Sequence, residues 1–341
     1  MSNVYKYLVQ YLHNYRKLDD FSFKIMGFKH FISLRKRQIY WTFTVAYASI
    51  KSKKEVRSVN VRKADFSGSW YPADPSECED EINRFMEGAV SVSTPAKQLT
   101  GGIVPHAGWY FSGSIACNVI RCLKDETPVD TFIIFGMHLH PGSPSYLMKE
   151  GAWETPFGEI LIEETLAEEL SARFSFKIEK QGSFTRDNTI ELQLPFVKYF
   201  YENTKIVPIG VPPSNDAIEI ARAVADISKE LGLRVKVLGS TDLTHYGLNY
   251  GFEPKGSGKS AVDWVREKND RRMINAMLSM DPQLVISEAL MNQNACCAGA
   301  AASAIAAAKE FGAIRAEEII YSSSYEKSPG DSFVGYVGVV F

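Results

Sequence analysis

Apolar runs and amphipathic segments alternate along the chain from about residue 60 to its end. Six short apolar runs, bounded by polar or turn residues, predict buried strands over residues 101–105, 131–136, 205–211, 234–239, 319–321 and 333–341. Segments of helical character separate them, and helices are predicted from about Ser112 and over residues 165–173, 191–201, 217–231, 260–280 and 298–311. Strands that alternate with helices in this way predict an α/β domain with a largely buried sheet.

The segment Asp74-Pro75-Ser76-Glu77 is typical of a helix start. Aspartate is a favoured N-cap, proline fits the first turn, and a glutamate three residues after the cap completes the pattern. This segment predicts a helix that runs to about Gly88.

Residues 1–60 differ in character from the rest of the chain. They hold 12 Lys and Arg against 3 Asp and Glu, whereas the whole chain has 38 against 40. Because they end in the polar run of residues 51–57, we predict a basic N-terminal extension over residues 1–60 and an α/β domain over residues 61–341. A solvated or partner-packed extension is favoured over one that touches nucleic acid or an acidic membrane. Its role stays open between an extra packing element, a docking segment and translated sequence upstream of the true start.

The composition narrows the class of protein. With 45% apolar and 12% aromatic residues, the chain is globular, not disordered, collagenous or coiled-coil. The uncharged stretch 38–50 is shorter than the ~20 residues of a membrane span, and Met1 does not begin a signal peptide. The acidic remainder of the chain argues against a nucleic-acid partner. Five cysteines without a CxxC pair favour a reducing cytoplasm.

Four of the six histidines come just after predicted strands: His106, His138, His140 and His245. Sites in open α/β sheets form beyond the carboxyl ends of strands, so imidazoles that arrive from three strands can converge in one crevice. The alternative for each histidine alone is a solvated loop residue or a hydrogen-bonded support.

Two short motifs refine this prediction. An HxH segment, here His138 and His140, points both rings to one face when its backbone is extended. Asp242 and His245 follow the strand over 234–239, and at a helix start their three-residue spacing would set the carboxylate beside the imidazole. Such a pair can act as a general acid or base, or fix which nitrogen of a neighbouring histidine is free. The alternative is an aspartate N-cap beside an unrelated histidine.

Cysteine and glutamate residues complete the candidates. Cys296 and Cys297 precede a helix of small residues, whose dipole would stabilise a thiolate that serves as a metal ligand or nucleophile. A core role for one cysteine is the alternative. Two histidines and a thiolate would make a three-ligand site for zinc, iron or copper with an open fourth position. Glu191 is either an acid near this site or an exposed first-turn glutamate.

Five ordered motifs resemble those of the Memo family, whose fold resembles that of the LigB-like class III extradiol dioxygenases. They are GSWYPAD at 68–74, PHAG at 105–108, ETPFGE at 154–159, IELQLPF at 190–196 and STDLTHYG at 240–247. The Cys297 segment corresponds to the late cysteine motif of the family. The resemblance runs from Phe66 to the C-terminus and implies a three-layer α/β/α domain around a central, mostly buried sheet.

The resemblance also implies a pocket for one divalent transition metal, which would be iron, copper or zinc. It would be built from His106, a histidine after the next strand and Cys297, with Asp242 and His245 nearby. Asn188 stands where members of the family commonly have a histidine, so one imidazole of the pocket is missing.

Two further segments depart from the family pattern. Met137 replaces a proline and Leu139 occupies the expected histidine position, so either His138 or His140 is the second ligand. Ala298 follows the cysteine where a glycine is usual. A changed ligand geometry would change the metal or abolish its binding.

The resemblance leaves three functions open. The first is a metal-dependent redox enzyme of dioxygenase type that acts on a small molecule, although a thiolate in place of a carboxylate weakens that analogy. The second is a non-catalytic binding or adaptor protein, because animal members are discussed as signalling adaptors. Prokaryotic members are associated with AMMECR-type and radical SAM proteins, which implies a shared pathway. The third is a hydrolase in which His245, oriented by Asp242, activates Cys297.

Overall fold

The computed structural model of the chain describes residues 60–88, 90 and 92–341. The predicted N-terminal extension therefore lies outside the described residues, apart from Asn60, and the domain boundary near residue 60 stays a prediction. Within the described part of the chain, no helix is both long and apolar enough to span a membrane.

Twelve strands form in the described residues, and nine of them belong to one mixed sheet. In chain order the strands are β1 (Val61–Arg62), β2 (Gly101–Val104), β3 (Thr131–Gly136), β4 (Ser145–Met148), β5 (Ala152–Trp153), β6 (Ile160–Leu161), β7 (Phe176–Glu179), β8 (Lys205–Gly210), β9 (Val235–Ser240), β10 (His245–Tyr246), β11 (Glu317–Ser323) and β12 (Phe333–Val340).

Four parallel strands form the centre of the large sheet. They lie side by side in the order β2, β9, β3, β8. β12 runs antiparallel beside β2 and carries both β10 and β11, while β4 and β7 extend the sheet beyond β8. β1, β5 and β6 form a separate small sheet.

Ten α-helices are described. They are α1 (Pro75–Met86), α2 (Trp109–Cys122), α3 (Glu164–Arg173), α4 (Asn188–Glu191), α5 (Leu194–Phe200), α6 (Asn215–Glu230), α7 (Lys259–Trp264), α8 (Asp270–Leu278), α9 (Pro282–Asn292) and α10 (Ala298–Glu310). A π-helical turn over Val265–Asn269 joins α7 to α8.

Helices cover both faces of the sheet. A side chain on Gly102 of β2 would collide with Val119 of α2, so α2 lies against that face. Gly239 of β9 pairs with the next residue of β2, and a side chain there would collide with Ala300 and Ala304 of α10. Because successive strand residues point to opposite faces, α2 and α10 lie on opposite sides of the sheet. The predicted α/β/α fold is confirmed.

Most predicted elements form where the pattern placed them. All six apolar runs form strands, and the Asp74 side chain caps α1 by accepting from the backbone N–H groups of Ser76 and Glu77. The helix predicted from Ser112 begins earlier, at Trp109. The strands of two to four residues other than β2 were not predicted, because such short segments carry no readable periodicity. The helix α9 was also missed.

The single helix predicted over residues 191–201 is wrong. The structure has two short helices, α4 and α5, and Pro195 lies in the first turn of the second one. Proline lacks a backbone N–H and clashes with the carbonyl four residues before it, so a continuous helix cannot pass through this position.

Candidate metal centre

Three neighbouring parallel strands are each followed by one polar side chain at the same end of the sheet. His106 follows β2, Asp242 follows β9 and His138 follows β3, with β9 between the other two strands. The rings of His106 and His138 have centroids 4.9 Å apart, and His106 Nε2 lies 3.9 Å from Asp242 Oδ2. The carboxyl ends of the strands therefore build one site, as expected for an open α/β sheet.

Two cysteines reach this end of the sheet at the start of α10. Cys297 directly precedes the first helical residue, and its backbone N–H donates to Thr241 Oγ1 at 3.0 Å. A side chain on Gly299 would lie 2.4 Å from the carbonyl oxygen of Pro212. Only glycine permits this close approach, so the position of the thiols depends on it.

Four donor atoms face one another here. Each of four residues offers one donor atom that lies within 4.8 Å of the donor atoms of the other three. The donors are a ring nitrogen of His106, a ring nitrogen of His138, Cys296 Sγ and Cys297 Sγ. Cys296 Sγ is 3.3 Å from His106 Nε2 and 3.7 Å from Cys297 Sγ. Cys297 Sγ is 3.4 Å from His138 Nδ1. We call these four residues the donor group.

Three of the six distances between donor atoms match those of a tetrahedral metal site, and the others stay within 4.8 Å. Metal–sulfur bonds of about 2.3 Å and metal–nitrogen bonds of about 2.0 Å separate the donor atoms of a tetrahedron by about 3.3–3.8 Å. The three contacts in the donor group, at 3.3, 3.7 and 3.4 Å, match this spacing. Two imidazoles and two thiolates are a common donor set for zinc, and thiolates also suit copper(I). The group can therefore hold a metal ion.

Ser240 orients the ring of His106. The Ser240 hydroxyl donates its only proton to the carbonyl oxygen of Thr189 at 2.7 Å, so it accepts from His106 Nδ1 at 3.0 Å. A proton on Nδ1 leaves the Nε2 atom to face the donor group. Burial lowers the pKa of His106, but the nearby Asp242 and Cys296 raise it to about 9. A proton and a metal ion would therefore compete for Nε2.

The two thiols differ in acidity. Burial opposes ionisation of Cys296, yet the hydrogen bond from Cys297 and the charge of His106 lower the pKa of Cys296 well below its usual value. The backbone N–H of Asp242 also donates to the Cys296 sulfur at 3.3 Å. Burial and the neighbouring Cys296 raise the pKa of Cys297. Cys296 is therefore the more acidic thiol of the pair.

Asp242 and His245 lie beside the donor group. Asp242 Oδ2 is 3.8 Å from His245 Nε2, and Asp242 Oδ1 accepts from the backbone N–H of His106 at 2.7 Å. Burial lowers the pKa of His245, but Asp242 and Cys296 raise it to about 10. The predicted helix start is absent, because His245 lies in β10 and pairs with β12. The carboxylate and imidazole are nevertheless neighbours.

A cavity of about 590 Å³ borders the donor group. His106, His138, Asp242, His245 and Asn188 form one part of its lining. Aromatic and hydroxyl side chains form much of the rest, among them Trp70, Phe111, Tyr250, Ser328 and Tyr336. The volume suits a small molecule. Asn188, at the position where the resemblance implies a histidine, donates its amide to the backbone carbonyl of His106 at 3.0 Å.

Two predicted site residues belong neither to the cavity lining nor to the donor group. His140 is exposed in the loop after β3 and is not part of the donor group. Glu191 lies in the first turn of α4 but is fully buried, so the alternative of an exposed glutamate is wrong. Its carboxylate accepts from the backbone N–H groups of Asp65 and Phe66 and from the hydroxyl of Tyr71. Glu191 therefore anchors the segment before α1.

The loop after β3 explains why only one histidine of the HxH segment reaches the donor group. Met137 has a φ of 71°, so the backbone is not extended at the start of this segment. The Met137 sulfur packs over Gly210, where a side chain would come within 2.2 Å of it. This turn directs His138 to the donor group and leaves His140 outside it.

Cys296 is the site residue that the motif analysis missed as a ligand. Adjacent residues in a regular strand point to opposite faces, so one cysteine of a pair is normally directed away from a shared centre. Here Cys297 has φ −129° and ψ 55°, outside both helix and strand, and both sulfurs point to the same place. The Cys-Cys pair itself was the available signal.

Comparisons with known proteins agree with the motifs. The sequence profile of the family described as Memo-like protein matches residues 62–340. A MEMO1 family protein of Pyrococcus furiosus is 32% identical over 289 residues, which are 82% of this chain and 98% of that protein. One of Thermococcus kodakarensis is 33% identical over 290 residues, 82% of this chain and 99% of that protein. An uncharacterized protein of Escherichia coli K12 is similar in structure at a TM-score of only 0.42, with 12% identity, over 66% of this chain and 90% of that one. The profile and the archaeal relatives show that this chain belongs to the Memo family.

Proposed function

We propose that this protein is a metal-dependent enzyme that acts on a small molecule bound in the cavity. The donor group carries the proposal, because its four donor atoms lie within 4.8 Å of one another and it borders a cavity of about 590 Å³. A structural metal site needs no cavity beside it, whereas a catalytic site needs room for a substrate next to the ion.

His106, His138, Cys296 and Cys297 are the proposed ligands. Thiolates favour zinc or copper, whereas the LigB-like dioxygenases hold iron(II) with two histidines and a carboxylate. The donor set thus supports a zinc or copper enzyme better than an iron dioxygenase. When bound, the ion would supply Lewis-acid chemistry or, with copper, electron transfer.

Asp242 and His245 are the proposed proton-transfer pair. His245 Nε2 is buried and has no hydrogen-bond partner among the described residues, because Asp242 Oδ2 at 3.8 Å is too distant to accept. The His245 side chain lines the cavity, so a small shift of its ring or one bridging water would let this nitrogen exchange a proton with a bound substrate. The carboxylate of Asp242 stabilises the charged imidazolium, which is why the pKa of His245 is raised to about 10.

A metal-binding protein without catalysis is the second candidate. Four protein donors fill the coordination sphere of a tetrahedral ion and leave no open position for a substrate. The thiol hydrolase is less well supported. The imidazole that contacts the Cys297 sulfur is that of His138, at 3.4 Å, and the raised pKa of Cys297 keeps its thiol protonated.

Loading the protein separately with zinc and copper tests the proposal. Hydrolysis of 4-nitrophenyl acetate probes the zinc form, and oxygen uptake with ascorbate probes the copper form. We expect one loaded form to exceed both the metal-free protein and the free ion. His245→Gln should retain the ion and lower that rate about 100-fold, and His140→Gln is the matched control outside the donor group. A stoichiometric ion without either activity would favour the non-catalytic candidate.

A further inference from the structure

The donor group contains two adjacent thiols whose sulfur atoms lie 3.7 Å apart. We propose that hydrogen peroxide closes Cys296 and Cys297 into a disulfide and thereby disassembles the metal site. This inference rests on the proposed function, because it concerns the regulation of the same donor group.

The burial of the two cysteines sets the order of reaction. Cys296 is half-buried, whereas Cys297 is only 3% exposed. Cys78 and Cys117 are fully buried, and neither belongs to the donor group. Cys296 is therefore the more accessible cysteine of the pair and would react with peroxide first, and Cys297 is the neighbour that would resolve the product.

The reaction is balanced in two steps. The Cys296 sulfur attacks one peroxide oxygen, so that an S–O bond forms, the O–O bond breaks and one water leaves. The Cys297 sulfur then attacks the sulfenic sulfur, so that the S–S bond forms, the S–O bond breaks and a second water leaves. Together the two thiols lose two electrons and two protons, and the peroxide takes up both.

The backbone at the pair is held by hydrogen bonds, and the Cys297 carbonyl accepts from the N–H groups of Ala300 and Ala301 at the start of α10. The N–H of Cys296 donates to the Asp242 carbonyl and that of Cys297 to the Thr241 hydroxyl, so neither belongs to the helical ladder of α10. The Cα atoms of adjacent residues are about 3.8 Å apart, closer than the roughly 4.4–6.8 Å of ordinary disulfides. The resulting strain makes such a bond easy to reduce, which suits a reversible switch.

Disulfide formation would leave only two ligands. A sulfur engaged in an S–S bond is no longer a thiolate, so His106 and His138 alone would face the ion. Two imidazoles hold zinc far more weakly than the complete group does. Oxidation would therefore release the metal, and reduction would restore the site.

Peroxide treatment of the zinc-loaded full chain tests this inference with two readouts. Zinc release is followed with a chelating dye, and the cysteine pair by the mass of the tryptic peptide 273–309, which contains no other cysteine. We expect the peptide to become lighter by two hydrogen atoms, in step with the loss of one zinc per chain. Dithiothreitol followed by added zinc should reverse both changes.

Three variants serve as controls. Cys297→Ser should gain oxygen on Cys296 without an S–S bond, and in Cys296→Ser residues 296 and 297 should gain no oxygen and form no S–S bond. Cys122→Ser, which changes a half-buried cysteine at the end of α2, should behave as the wild type. Zinc that stays bound after disulfide formation, or zinc loss without a disulfide, would overturn the switch. Zinc-free wild-type protein would instead overturn the proposed function, and the peptide mass of that protein would still decide whether the disulfide forms.

Discussion

Two groups of polar side chains in the described part of the chain satisfy their polar atoms in different ways. The first, which we call the Asp270 group, consists of Asp270, Thr244, Tyr321 and Asn269. Asp270 accepts from the Thr244 backbone N–H at 3.0 Å and from the Tyr321 hydroxyl at 2.8 Å. Asn269 Nδ2 donates to Thr244 Oγ1 at 3.0 Å. The polar side chains of the Asp270 group therefore satisfy one another's hydrogen bonds, and the group needs no ligand.

The donor group is arranged differently, because one sulfur or nitrogen atom from each of its residues lies within 4.8 Å of all the others. Acceptor atoms this close together are stable only when a proton or a metal ion lies between them. The comparison shows that the direction of the hydrogen bonds distinguishes a group that stabilises the fold from a group that can hold an ion. The Asp270 group stabilises the segment that carries Asp242 and His245, whereas the donor group is arranged to bind an ion.

Removing a ligand should have the largest effect. His106→Ala leaves three donors, and since complete structural zinc sites contribute about 10–16 kcal/mol, the loss of one ligand should weaken binding roughly 1000-fold. Isothermal titration with zinc measures this change. His140→Ala should bind as the wild type does, and equal weakening in both variants would break the distinction between His106 in the donor group and His140 outside it.

Removing the centre of the Asp270 group should affect stability instead. Asp270→Ala leaves the Thr244 donors and the Tyr321 hydroxyl without their acceptor, so the free energy of unfolding should fall by about 3 kcal/mol. Urea denaturation measures it, with the exposed Asp263→Ala as a control that should change little. The zinc stoichiometry of folded Asp270→Ala should stay at that of the wild type; loss of the ion would contradict separate roles.

The Asp270 carboxyl also predicts a pH dependence of stability. Burial raises its pKa from 3.8 to about 6, so the folded state binds more protons than the unfolded state between these values. The free energy of unfolding should therefore fall by about 2 kcal/mol as pH rises from 4 to 7. Asp270→Asn should lack this contribution. A difference between wild type and variant that is constant with pH would contradict it.

Removing the hydrogen bond that orients the ring of a ligand should have the smallest effect on zinc binding. Ser240→Ala deletes the acceptor of His106 Nδ1 and should weaken zinc binding about 10-fold. Ser303→Ala is the matched control, because this buried serine donates to the Ala217 carbonyl and does not contact the donor group. An unchanged zinc affinity in Ser240→Ala would show that this hydrogen bond does not orient the ring.

The pattern of the sequence predicts the fold and the end of the sheet where the site forms. The strands before His106, His138 and Asp242 were recognisable as apolar runs, and parallel strands bring their carboxyl ends together. The details depend on local backbone that no periodicity encodes. The positive φ of Met137 decides between His138 and His140, and the irregular Cys297 backbone brings Cys296 into the donor group.

The hydrogen-bond partners of Glu191 could not be predicted from the sequence for a similar reason. Its carboxylate binds the Asp65 and Phe66 backbone, more than a hundred residues earlier in the chain. A contact at this separation leaves no local pattern, so the first-turn position of Glu191 was predictable while its buried anchoring role was not.

The central claim is that the donor group binds one metal ion, and metal analysis tests it most directly. The protein would be purified anaerobically without a histidine tag, reconstituted with zinc, copper or iron, and compared with His106→Ala, His138→Ala, His140→Ala and Cys297→Ala. We predict close to one zinc or copper per chain in wild type and His140→Ala, and loss in the other three variants. Wild-type protein that retains no ion after reconstitution would contradict the account.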